Sequence, residues 1–345
     1  MITKNEKIHG IVYAYTDKKR YGMVTDIGLE WIRLNIPFPW EDKMFGELSE
    51  NWLRVEKDIK EAVDAGLKVM PSVPTMGSYN TPVGSEEVVW RDEWPDFVGE
   101  KGSDEYYDNV RKSSAFMCQR LGENAHSLWQ CMNEIDIETF RGEYSIEIAV
   151  DTCRAAAEGI TSINPNAVCG TNFTAWWDYT KDISRMLYRP GHKFGYCGID
   201  GYYGSWHEGT VEKWENTIND MYEFCNMPVL VNEWGYSSGG VIITEDLDWK
   251  NWPKGWSENC YGKGWRYHYN GEHSPEAAAA YIKRGLEIFI NNPNCLGQFM
   301  FCFSDAKRCW HCGQSECPSE CLWGIVDIDL NPKPAYYVVK EALKG

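Results

Sequence analysis

Two apolar runs in this chain end in the same dipeptide. Trp129-Gln130-Cys131-Met132 leads into Asn133-Glu134, and Val229-Leu230-Val231 leads into Asn232-Glu233. A carboxylate at the tip of a buried strand adds little to packing, and its apolar neighbours raise the cost of its charge. Two such groups facing one cleft are the minimum equipment for cutting a glycosidic bond. One, protonated, helps the leaving oxygen depart; the other, ionised, attacks the anomeric carbon. Their separation sets the outcome: about 5–5.5 Å gives retention through a covalent sugar ester, and about 6.5–9.5 Å admits water and gives inversion. The plainer alternative is two unrelated strand-end ion pairs.

A second cluster is Cys309-Trp310-His311-Cys312, followed by Cys317 and Cys321. It falls in a polar insertion at about 305–323, too short to have a core of its own. Four thiols at this spacing suit a tetrahedral structural zinc, which leaves no open position for substrate. Two disulfides or free thiols are the alternatives. No cofactor is expected for catalysis. Other cysteines among the 13, such as Cys131, Cys153, Cys169 and Cys302, read as small core residues. His9, His126, His192, His207, His268 and His273 form no strand-end pair, so a metal-dependent hydrolase is not expected.

The elements that must hold these residues repeat as strand, loop and amphipathic helix. Expected strands are Ile8 to Ala14, Trp31 to Ile36, Leu67 to Val73, Leu128 to Asn133, Ala167 to Asn172, Gly195 to Tyr202, Val229 to Asn232 and Leu296 to Phe303. Each is short and apolar, as in a parallel strand buried on both faces. Between them run helical stripes, such as Ile146, Ala149, Val150, Cys153, Ala156, Ala157 and Ile160. Eight such units predict an α/β chain, a single (β/α)8 TIM barrel over 1–345. Long connections follow strand three (Pro74 to Ser103), strand seven (Gly235 to Ser274) and strand eight (Ser304 to Asn331). Strand-to-helix loops gather on the catalytic face of such a barrel. Many of the 17 Trp lie there, including Trp40, Trp176, Trp206, Trp249, Trp252 and Trp310. They read either as aromatic loops packing on one another or as platforms for sugar rings.

These motifs resemble clan A glycoside hydrolases, the retaining (β/α)8 glycosidases, over Ile8 to Leu343. The resemblance implies that Asn133-Glu134 carries the acid/base after strand four and Glu233 the nucleophile after strand seven. Trp31-Ile32-Arg33-Leu34-Asn35 resembles the clan's second strand, which implies that Arg33 supports the nucleophile. Asp200-Gly201-Tyr202-Tyr203-Gly204-Ser205-Trp206-His207 resembles its sixth, which implies a Tyr hydrogen-bonded to the nucleophile; of the pair, Tyr202 is favoured over Tyr203. Asn133 would hold the sugar 2-OH. Gln130 to Ile135 with Tyr202 to His207 resembles endo-β-galactanases, and Pro228 to Ser237 resembles β-mannanases. Ile135 stands where the clan often has Pro. Strand eight lacks the clan's usual Trp, so Phe303 or Trp310 would floor the sugar subsite.

A net charge of −17 repels phosphate backbones and anionic lipid, so carbohydrate is expected as partner, and neither nucleic acid nor membrane. Met1 to Lys7 has no apolar signal core. The expected location is cytoplasmic, or secreted if an export signal has been trimmed. The expected function is a retaining β-glycosidase on a β-linked hexose oligo- or polysaccharide of mannan, galactan or glucan type. A silent carbohydrate-binding barrel is the alternative, and a phosphate-dependent or Schiff-base lyase a third reading.

Overall fold

Eight short segments buried on nearly every side pair in parallel around a ring in the computed structural model, which describes residues 7–12, 18–80, 89–125, 127–248, 253 and 256–344. They are β1 (Ile8–Val12), β2 (Trp31–Asn35), β3 (Lys68–Val73), β4 (Leu128–Cys131), β5 (Val168–Gly170, resuming as Asn172–Phe173), β6 (Cys197–Gly201), β7 (Val229–Trp234) and β8 (Cys295–Met300). β1 pairs with both β2 and β8, which brings the sheet back on itself. The ring is nearly closed. Its one break lies at Thr171, where the first half of β5 pairs with β4 and the second half with β6. The chain is a (β/α)8 barrel.

Eight helices cover the ring: α1 (Lys18–Asp26), α2 (Glu50–Asp64), α3 (Asp104–Leu121), α4 (Ile146–Ile163), α5 (Asp178–Leu187), α6 (Lys213–Cys225), α7 (Pro275–Asn291) and α8 (Pro334–Lys344). Serine starts four of them. Ser49, Ser103, Ser145 and Ser274 each accept from the backbone N–H three residues on, which satisfies a donor the helix itself leaves unpaired. The helical stripes pack on the outside of the strands, as with Ala149, Cys153, Ala156 and Ile160 of α4. A smaller core fills the lumen: Ile8, Val12, Trp31, Met70, Leu128, Tyr196, Leu230 and Phe299.

Two glycines give the lumen rings their space. A Cβ on Gly10 would lie 2.4 Å from the Phe299 ring, and one on Gly170 would lie 2.3 Å from the Tyr196 ring. Because all eight strands run the same way, the strand-to-helix loops gather at one end. The β3–α3 loop carries a hairpin, Gly77–Asn80 with Val89–Asp92. The β7–α7 loop carries a short helix, Glu258–Gly262. The β8–α8 loop spans 301–333. Strand eight stops at Met300, short of the Phe303 expected from sequence. Trp249, Trp252 and His126 lie outside the described residues. No helix among the described residues is long and apolar enough to cross a membrane.

Gly10→Val should lower unfolding free energy by about 1–3 kcal/mol, since the new methyls meet a ring that close packing holds in place. Urea denaturation measures this; an unchanged midpoint would mean the lumen is looser than described.

Candidate active site

Regular strands send neighbouring side chains to opposite faces. Asn133 and Glu134 nevertheless both line one cavity at the loop-bearing end of the barrel. The backbone explains this. Met132 and Glu134 adopt left-handed conformations, with φ of 71° and 40°, just beyond the end of β4. Such conformations cost free energy for residues with a Cβ and are held only where the surroundings over-determine them. β7 uses another device. Its register against β6 slips between Val231 and Glu233, a bulge that turns Glu233 into the cavity while Asn232 stays in the lumen network.

Glu233 is 7% exposed and held by two donors. Arg33, 1% exposed on β2, forms an ion pair with it. The Tyr202 hydroxyl donates to its other oxygen at 2.5 Å. Tyr203 turns outward instead, where its hydroxyl meets Thr217 at 2.7 Å. Arg33 also donates to Asn133 Oδ1 at 2.6 Å. That oxygen takes further bonds from Gln130 Nε2 and Asn172 Nδ2, both 3.0 Å. With its oxygen fully engaged, Asn133 is oriented so that its amide N–H groups are left for a ligand.

Glu134 has the opposite environment. Its backbone N–H donates to Asn172 Oδ1 at 3.1 Å. Burial pushes its carboxyl well above the usual range, and the charges of Glu233 and Asp136 push the same way. Asp200, at the tip of β6, faces it. Asp200 accepts from Asn172 at 2.5 Å, and burial with the charges of Glu233 and Glu134 raises its pKa as well. Like charges this close cannot all ionise, so Glu134 and Asp200 hold a proton between them while Arg33 balances Glu233. Asp136, backed by Thr174, is pushed up to about 6, chiefly by burial.

The cavity is about 450 Å³, the size of a small-molecule site. Its aromatic wall is Trp177, Trp206, Phe301, Trp310 and Trp323. Trp323 meets Tyr202 edge-on at 4.9 Å, and Trp206 meets Trp265 edge-on at 5.2 Å. Three residues expected there lie elsewhere. Trp40 is buried among Phe38, Phe45 and Phe116 beneath a loop. Trp176 points to the outer layer, where its N–H bonds Asp220 at 2.6 Å; its neighbour Trp177 takes the cavity side. Phe303 is fully buried in the outer core under Arg20, and Phe301 stands at the cavity instead. In each case the aromatic type was legible but the face was not, because loops have no period from which to read it.

The structure adds Asp200, Asn172, His207, His311 and Glu320 to the site, and Cys260 to the cysteine cluster. Asp200 carried the same signal as the two glutamates, an acid ending an apolar strand. Cys260 lies far along the chain from the other cysteines and carried no signal. The sulfurs of Cys260, Cys309, Cys312 and Cys317 all lie within 4.8 Å of one another, so Cys260 takes the place expected for Cys321. Cys321 is buried beside them, with its Sγ 3.7 Å from the Gln314 carbonyl. None of the 13 cysteines is in a disulfide. Lys68, the one strand lysine a Schiff-base lyase could use, lies at the far end of the barrel and pairs with Glu30 at 3.0 Å.

No protein-family model matches the chain, and no curated protein matches it by sequence. Solved structures do match. The Ignisphaera aggregans GH53 catalytic domain superposes with a TM-score of 0.64 at 16% identity, covering 99% of this chain and 97% of that one. A Bacteroides uniformis β-glucuronidase gives 0.63 at 15% identity, covering 98% of this chain. A GH2 β-galacturonidase from Eisenbergiella tayi gives 0.58 at 16% identity, covering 98% of this chain and 51% of that one. The chain spans about a third of the length of the β-glucuronidase it matches (35%). What it shares with all three is the barrel fold.

Glu134→Gln should stabilise the protein. A carboxyl whose folded pKa is raised above its ordinary 4.5 binds its proton more tightly folded than unfolded. Its presence therefore costs stability as pH rises above 4.5, until the folded carboxyl itself ionises. The variant's Tm should equal wild type near pH 4 and exceed it by a few degrees at pH 7–8. A Tm at or below wild type across that range would contradict the assigned protonation.

Proposed function

We propose that this chain is a retaining β-glycoside hydrolase acting on a β-linked hexose oligo- or polysaccharide by double displacement. The observation that carries the proposal is the asymmetry of the two glutamates. They share one cavity, yet Glu233 is clamped by a guanidinium and a phenol while Glu134 is placed where it keeps a proton. That is the acid and nucleophile division that glycoside cleavage needs. The mechanism follows from it. Glu233 attacks the anomeric carbon as Glu134 gives its proton to the departing oxygen, leaving a sugar ester on Glu233. Glu134, now a carboxylate, takes a proton from water, which attacks the same carbon and releases Glu233. Asn133 N–H groups hold the 2-OH, a contact that strengthens as positive charge develops on the ring. The aromatic wall supplies flat faces for sugar C–H groups. A silent carbohydrate-binding barrel would gain nothing from a proton stored beside a clamped carboxylate.

The cavity wall also bears on the sugar. Among the described residues it carries Glu134, Glu233 and Glu320 but no Lys or Arg. A uronic acid would bring a further carboxylate to a wall whose described lining offers no lysine or arginine to receive it. Neutral hexosides of mannan, galactan or glucan type fit better. The β-glucuronidase and β-galacturonidase neighbours share the barrel fold, and the described lining favours a neutral sugar over theirs. Aryl β-hexosides should be cleaved with kcat/KM at least about tenfold above the matching uronides, a difference of about 1.4 kcal/mol; the reverse order would contradict the reading of the wall.

Glu134→Ala should lose about 10²–10⁴-fold on substrates with poor leaving groups and far less on activated aryl glycosides, because only the former need a proton. Azide should restore its turnover and yield a β-glycosyl azide. Glu233→Ala should be inactive on both classes. Equal losses in the two variants with no azide product would show that the roles are misassigned.

A further inference from the structure

Two of the long loops meet in a core made of sulfur. Cys260 comes from the short helix Glu258–Gly262 in the β7–α7 loop, and Cys309, Cys312, Cys317 and Cys321 come from the β8–α8 loop. Among the described residues, the partly buried hydrophobics that pack against this group are Trp256 and Leu322. Four of the sulfurs, those of Cys260, Cys309, Cys312 and Cys317, lie within 4.8 Å of one another, and all four residues are buried. Cys260 Sγ and Cys309 Sγ are 3.9 Å apart. A tetrahedral ion with Zn–S bonds of about 2.3 Å sets a sulfur–sulfur edge of about 3.8 Å. A disulfide needs about 2.05 Å.

The chain around the sulfurs is shaped for the same purpose. Gly313, directly after Cys312, has φ of 71° and donates to the Cys309 carbonyl at 2.8 Å. Cys309 N–H in turn bonds the Gln314 carbonyl at 2.9 Å, so the Cys309–Cys312 pair is folded into a tight knuckle. On the opposite loop Ser257 caps the short helix and donates to Cys260 Sγ at 3.2 Å. Ser319 Oγ lies 3.4 Å from the same sulfur, placed to donate once it is a thiolate. Hydroxyls of this kind orient and charge-balance metal ligands.

We propose that Cys260, Cys309, Cys312 and Cys317 bind one structural zinc ion that clamps the β7–α7 loop to the β8–α8 loop. Binding releases the four thiol protons, and the four thiolates fill the coordination shell, so the ion takes no part in cleavage. Its role is architectural. Trp310 and His311 stand between two of the ligands and both line the cavity. Their rings stack at 3.6 Å, and His311 Nε2 lies 3.6 Å from Glu320, which lines the same wall. Zinc therefore fixes one side of the cavity by tying the chain on both sides of Trp310 to the neighbouring loop.

The test is metal analysis of the full chain purified without metal-affinity resin, with cobalt substitution and a thiol titration. Wild type should carry one zinc per chain. The cobalt form should show the thiolate charge-transfer and tetrahedral ligand-field bands of a sulfur-only site. Cys260→Ser should lose zinc at least about tenfold in occupancy, while Cys321→Ser should keep it. Zinc-free wild type with four thiols that titrate only after a reductant would overturn the proposal in favour of two disulfides. Iron in place of zinc would overturn the choice of ion. Zinc lost in Cys321→Ser and kept in Cys260→Ser would overturn the ligand set. If Cys260→Ser does not fold, the wild-type metal content and cobalt spectrum decide alone. None of these readings depends on whether the chain cuts sugars.

Discussion

Arg33 is the charge around which the site is built. It is buried at the loop-bearing end of the lumen, and it meets Glu233 with one nitrogen and Asn133 with another. Burying a guanidinium and a carboxylate costs several kcal/mol each, which only good geometry and added hydrogen bonds repay. Removing either partner from such a pair typically costs about 3–5 kcal/mol, because the other charge is left buried and alone. The carboxylate is thus held in place by the same contact that makes the lumen tolerable.

The rest of the polar lumen extends from that contact. Asn232 donates to Gln130 at 2.7 Å, Gln130 to Asn133 and Asn172, and Asn172 to Asn133 and Asp200. β2, β4, β5, β6 and β7 each contribute a member, so the network forms only when these strands come together around the lumen. Connected hydrogen bonds in a low-dielectric interior strengthen one another and restrict the geometry of their members. This one places a stored proton on the Glu134 side and a compensated negative charge on the Glu233 side. The left-handed residues of β4 and the bulge of β7 are the backbone distortions that let both carboxyls reach the same space.

The barrel was legible because its signals are periodic. Strands such as Val229–Trp234 are buried throughout and open on an apolar run, and helices such as Ile146–Ile163 carry one apolar stripe. An acid at the end of an apolar strand breaks that pattern, so Glu134 and Glu233 stood out. Asp200 breaks it in the same way. The loops were another matter. Trp176 and Trp177 differ in nothing a sequence reveals, yet one bonds Asp220 on the outer layer and the other lines the cavity. Phe301 and Phe303 exchange roles because β8 ends earlier than its apolar run suggests. Cys260 joins cysteines that follow it by some fifty residues, a proximity produced only by two loops folding together.

Stereochemistry tests the central claim most directly. Proton NMR of the reaction in its first minutes reads the anomeric configuration of the sugar as it leaves the enzyme, before mutarotation mixes the forms. A nucleophilic Glu233 and an acid/base Glu134 require two inversions at the anomeric carbon, so the β-anomer should appear first. First appearance of the α-anomer would mean that water attacks directly, and that Glu233 is a base rather than a nucleophile.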